Sequence, residues 1–132
     1  MKSKHIIGII GLSAIFVKSN LSIQNFKPDI TVSAGKDENV FEGEVLVLKG
    51  SENCTNCQEI NIIEKKYIWY KDDVKMTTEK LEYDFYIPIV GSKTEYTFKF
   101  EIYLHWKKGD QERWDRWSDT LTVTAQPTPS LF

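Results

Sequence analysis

An all-β chain is predicted by three features of the sequence. Apolar residues gather in short β-branched and aromatic runs, Gly or Pro punctuates those runs, and the segment from Tyr96 to Leu104 alternates strictly between apolar and polar. After the first twenty positions no window of ten or more residues keeps a 3.6-residue period. The 132 residues suffice for one domain and are too few for two. With 41% hydrophobic and 27% charged residues the chain has the composition of a folded domain, neither disordered nor of low complexity. A formal charge of −2 offers no field to attract a polyanion, which argues against nucleic-acid binding.

The first segment reads as a targeting signal. Lys2 and Lys4 precede an apolar run, Ile6 to Val17, that Lys18 closes. Twelve helical residues rise only about 18 Å, short of the ~30 Å hydrocarbon core, so the run is too brief for a membrane span. Residues 1–19 are therefore expected to be a secretory signal helix. Val17 and Ser19 would be the small residues before a cut after position 19, and an uncleaved short anchor is the alternative. Cleavage would remove Lys2, Lys4 and Lys18, leaving 14 basic against 19 acidic residues, a net −5. A secreted, periplasmic or cell-surface location follows, with no stable membrane span after cleavage. Residues 20–28 read as a linker.

The strands are then taken in order. Ile30-Thr31-Val32 stops at the turn-forming Ala34-Gly35-Lys36-Asp37, and a second break at Glu42-Gly43-Glu44 leads into Val45 to Leu48, closed by Gly50-Ser51. Glu52 to Lys66 is mostly polar and is expected to be a loop holding Cys54 and Cys57. Tyr67 to Tyr70 is an aromatic strand, with Trp69 the expected central core residue. Leu81 to Ile87 alternates until Pro88, which marks a strand end or an edge. Tyr96, Phe98, Phe100, Ile102 and Leu104 then share one face of a long half-buried strand, the first three being named as core, while Tyr103 and His105 fall on the other. Lys107 to Asp110 is a turn. Leu121 to Thr124 alternates again with Thr120, Thr122 and Thr124 outward, and residues 126–132 form an exit tail. Roughly seven such strands point to an antiparallel β-sandwich of immunoglobulin-like type.

Residues 29–51, with a short strand, an Ala-Gly turn, a Glu-Gly-Glu turn and a strand closing in Gly-Ser, resemble the opening of a polycystic-kidney-disease (PKD) domain. Tyr67-Ile68-Trp69 is similar to that family's aromatic-x-Trp strand, and Ser118 to Thr124 to its last strand, so the resemblance spans roughly 29–125. The Cys pair and the long Trp-rich hairpin from Leu104 to Trp117 depart from the pattern. The C-terminal half also resembles fibronectin type III domains through Lys93 to Phe100 and Trp114-Asp115-Arg116-Trp117-Ser118, with Asp115 where the cytokine-receptor box of that superfamily has Ser. The PKD resemblance implies a non-catalytic module that contacts an extracellular protein or glycan, or spaces other domains at the cell surface.

Chemistry-bearing patterns are few. Cys54-Thr55-Asn56-Cys57 has the spacing of a redox pair, but no helix flanks it to activate a thiol, so a small disulfide or two inert thiols are expected. Two Cys and one His after the signal cannot make a four-ligand zinc site, and one His with no nucleophile motif makes a catalytic triad improbable; no cofactor is implied. The feature that exceeds scaffold duty is the hairpin, where Trp106, Trp114 and Trp117 flank Arg113 and Arg116. Aromatics beside arginines suit a sugar or protein contact, and they equally suit an internal stack of the arginines on the tryptophans. The alternative function is a small secreted enzyme or inhibitor using the acids of hairpin 104–119.

Overall fold

A computed structural model describes residues 26–76 and 79–129. The expected signal helix, residues 1–19, lies outside them, as does most of the linker. The described chain is all-β, with nine strands and a single 3-10 turn at Cys57–Glu59. The strands are β1 (Ile30–Ser33), β2 (Glu38–Phe41), β3 (Val45–Lys49), β4 (Ser51–Cys54), β5 (Asn61–Lys71), β6 (Val74–Lys75), β7 (Glu82–Tyr86), β8 (Thr94–Lys108) and β9 (Gln111–Gln126).

One sheet runs in the order β2-β9-β8-β5-β6, antiparallel except where β2 pairs parallel with β9. The other strands pair as β1 with β4 and β3 with β7, both antiparallel. β3 and β4 are one extended run interrupted at Gly50, whose N–H donates to the Leu81 carbonyl at 2.8 Å. Leu46 and Leu48 of β3 and Ile30 of β1 meet Trp69, Phe98, Phe100, Leu104 and Val123 of the larger sheet in a single buried cluster.

Alternation explains which side chains arrive there. Along β8 the even positions Phe98, Phe100, Ile102, Leu104 and Trp106 are all buried, and along β9 Leu121, Val123 and Ala125 face them. Tyr96 is half-buried and packs on the edge of the cluster against Phe85. Trp69 is fully buried, with its ring 4.9 Å from that of Phe100 and its indole N–H on the Leu81 carbonyl at 3.2 Å.

Gly50 is required by this packing rather than by a turn. A Cβ at that position would stand 2.5 Å from Cζ of the Phe100 ring, which has no free space to retreat into. Gly50→Ala is therefore expected to lower the unfolding free energy by about 1–3 kcal/mol through overpacking, measurable in a denaturant titration.

Two segments differ from the sequence expectation. Glu52 to Lys66 is not a loop: it supplies most of β4, the 3-10 turn and the first half of β5. Asn61 to Lys66 is largely exposed and becomes extended by pairing with Lys107 to Tyr103 of β8, a partner forty residues away that composition does not reveal. Glu38–Phe41, read only as the space between two turns, is a strand because it lies along β9, and Asp37 anchors its start by accepting the Thr122 N–H at 2.8 Å.

Candidate functional site

The β8–β9 hairpin closes at Gly109, whose positive φ of 58° favours glycine, with the ladder continuous from Thr94↔Ala125 to Lys108↔Gln111. Its even and odd positions therefore point to opposite faces without interruption. The outer face of the sheet carries three neighbouring rows read across β5, β8 and β9: Glu64, His105, Trp114; Lys66, Tyr103, Arg116; and Ile68, Glu101, Ser118.

Trp114 is the exposed large aromatic of this face, 57% accessible. One side of its indole stacks on His105, with centroids 4.4 Å apart and planes 17° from parallel. His105 Nε2 lies 2.6 Å from a Glu112 carboxylate oxygen, which fixes the imidazole on which Trp114 stacks. In the next row the Arg116 guanidinium lies 5.0 Å from the Tyr103 ring centroid, and Lys66 approaches that ring at 5.9 Å. Arg116 donates to Glu101 at 2.7 Å, and the Tyr70 hydroxyl donates to the same carboxylate oxygen at 3.0 Å. Glu101 is buried although it points outward, and Ile68 beside it is also buried while lying outside the core cluster. The Tyr70 and Arg116 side chains that bond Glu101 lie over its carboxylate, as amphipathic side chains do on an exposed sheet.

Sequence expectation and structure part company at two of the five hairpin residues, Trp106 and Trp117, and the expected stacking of Arg116 on a tryptophan is also absent. Trp106, expected among the binding residues, is 1% exposed and belongs to the core; its indole N–H donates to Asp115 at 2.8 Å and Phe26 packs edge-on against it at 5.8 Å. Its even position in β8 places it with Leu104, a signal present in the alternation. Trp117 is half-buried against the core for the same reason, sharing odd parity with Leu121. Arg116 does not stack on a tryptophan, because its cross-strand neighbour is Tyr103. Arg113, opposite Trp106, is exposed, and Trp114 is exposed on the other face. His105, Tyr103, Glu101 and Tyr70 complete the cluster and were not singled out by spacing, because only the register sets them beside Trp114 and Arg116.

Two acids of the hairpin have structural partners. Asp115 accepts from the Trp106 indole, and Asp119 accepts the Ala34 N–H at 2.8 Å, tying the hairpin to the crossover between β1 and β2. Among the described residues no three His, Cys, Asp or Glu are grouped to hold a metal ion. A cleft of about 160 Å³ lined by Ala34, Leu46, Leu48 and Leu121 lies at that crossover, small beside the ~300–1,000 Å³ of typical ligand pockets.

Cys54 and Cys57 form a disulfide with Cα atoms 5.8 Å apart, and the 3-10 turn that Cys57 opens meets Lys108 of the hairpin through Glu59. Asn56 inside this small loop accepts the Asp29 N–H at 2.8 Å and donates to the Lys27 carbonyl, so the staple positions the chain entering β1. Closing so short a loop removes little chain entropy, and Cys54→Ser with Cys57→Ser is expected to cost no more than ~2 kcal/mol, read from a melt with and without reductant.

Three groups share one alkaline response. Burial, then the hydrogen bond to Glu101, push the Tyr70 phenol up; burial and Glu52 do the same for Tyr67. Burial opposes protonation of Lys65, but its pairing with Glu52 at 2.6 Å outweighs this and raises it. All three are raised in the folded state, so their stabilisation is complete below the ordinary Tyr and Lys values near pH 10 and is lost as pH rises through the folded values. The melting temperature is expected to fall as pH rises above about 10, in step with phenolate absorbance.

Comparison with known proteins finds no matching family model and no matching curated protein.

Proposed function

We propose that the chain is an exported, non-catalytic module with a PKD-like, immunoglobulin-type β-sandwich, and that the outer face around Trp114 is its contact surface for an extracellular protein or glycan. Exposure of the Trp114 ring carries this reading. A large aromatic stacked on His105, which Glu112 in turn holds, and bordered by Arg116, Tyr103 and Lys66 loses little side-chain freedom on binding. The ring of paired charges around it supplies a polar rim, as at protein contacts, and its open indole face suits a sugar ring equally. The split of the first strand between β4 and β9 through β1 and β2, and one core shared by both groups of strands, support the sandwich assignment. The disulfide supports an oxidising compartment.

The experiment is retention of purified protein on glycan-bearing and cell-surface extracts. Trp114→Ala is expected to abolish retention while moving the melting temperature by no more than a surface substitution does. Unchanged retention by the folded variant would remove this face from the function. The enzyme or inhibitor alternative draws no support from Asp115 and Asp119, whose carboxylates hold the Trp106 indole and the Ala34 backbone.

A further inference from the structure

β9 is 16 residues long, yet β2 covers only Val123 to Gln126 of its outer edge. The direction of the remaining backbone groups follows from one hydrogen bond. The Thr122 N–H points outward to Asp37, so with an uninterrupted register the N–H groups of Glu112, Trp114, Arg116, Ser118 and Thr120 point to the same edge. Asp119 holds Ala34 at one end of that edge and Gln111 donates to the Phe26 carbonyl at the other, with Glu112 to Arg116 between them. Among the described residues no strand pairs with this stretch, and a strand edge without a neighbour is a template for another strand.

The sequence on that open stretch is Glu112-Arg113-Trp114-Asp115-Arg116. Reversed about Trp114, each charge meets its opposite. We propose that this edge pairs antiparallel with the same edge of a second copy, on a two-fold axis at Trp114, so that the larger sheets of the two copies join. Arg113 then faces Asp115 of the second copy, Glu112 faces Arg116 of the second copy, and the two Trp114 rings lie side by side. Trp114 falls at a hydrogen-bonded pair, as its outward N–H requires. The register is selected by charge: centring the axis at residue 112 sets Glu112 against Glu112, and centring it at 116 sets Arg116 against Arg116, both repulsive. Centring it at 113 or 115 gives a non-hydrogen-bonded axis and breaks the Arg113–Asp115 match.

This inference rests on the hairpin being a contact surface but uses its backbone edge, and Arg113 lies on the face opposite Trp114, so the two readings fail separately. Sedimentation of the processed chain is expected to show a monomer–dimer equilibrium at concentrations up to about 100 μM. Arg113→Glu, which sets Glu against Asp115, is expected to weaken it by about tenfold or more while leaving retention on extracts and the melting temperature unchanged. On treatment with diamide as the two-electron oxidant, Trp114→Cys is expected to give a disulfide-linked dimer, because a hydrogen-bonded antiparallel pair sets Cα atoms about 5.5 Å apart, within disulfide reach. Ser118→Cys is expected not to, because the two copies of that position would stand roughly 27 Å apart, at 3.4 Å per residue over eight residues. A strictly monomeric protein, a dimer indifferent to Arg113→Glu, or cross-linking at position 118 rather than 114 would each overturn the proposal.

Discussion

Replacing Trp69 with alanine is expected to cost about 3–5 kcal/mol of stability, enough to unfold much of the population in a domain whose total is ~5–15 kcal/mol. The magnitude rests on three losses that occur together. The indole is fully buried, so its removal forfeits the apolar area of the largest core side chain. Phe100, 4.9 Å away, cannot fill the space, because it is already seated on Gly50 and stacked against Tyr67 at 6.0 Å. The Leu81 carbonyl loses its indole donor where the chain enters β7. Trp69→Phe separates these contributions: it retains most of the packing and removes the donor, and should cost distinctly less. Denaturant titration of both variants measures the difference, and a loss below ~1 kcal/mol for Trp69→Ala would contradict the packing described.

Trp106→Ala is the second large effect, expected at about 3–5 kcal/mol, and it contrasts with Trp114→Ala eight positions along the same hairpin. Trp106 is buried beneath Phe26 and donates to Asp115, so alanine there opens a cavity and strands a half-buried carboxylate. Trp114 instead stands in solvent on the other face. The pair of variants thus separates stability from contact: one should lower the melting temperature sharply, the other should alter only binding. Equal melting temperatures for the two would mean that the parity assigned to the hairpin is wrong.

The tryptophans show how far local pattern reaches. From Tyr96 to Leu104 the alternation marks the buried face, and two further steps carry it to Trp106, so that residue's interior position was legible as soon as the strand was extended past His105. The charged residues Lys107 and Lys108 obscured it, because they suggested a solvent-exposed turn beginning earlier than Gly109. For the outer face nothing local sufficed. Tyr70, Glu101, Tyr103 and Arg116 come from three strands, and their association depends on which residue of β5 lies opposite which residue of β8, a register fixed by the core packing on the far side of the sheet.

From the amino-acid order alone came the β class, the aromatic core around Trp69, Phe98 and Phe100, the turns at Gly43 and Gly109, and the spacing of a short Cys54–Cys57 loop, all of which depend on period-two patterning or on residues a few positions apart. The tertiary structure decided the rest. It made strands of Glu38–Phe41 and Asn61–Lys66, whose polar composition carries no such period, by giving their backbones partners in β9 and β8. It also turned Trp106 inward and left Trp114 outward on one hairpin. The physical reason is common to both: hydrogen bonding to a distant strand can order a segment that has little apolar surface to bury, and that long-range pairing, not local composition, determines which face each side chain meets.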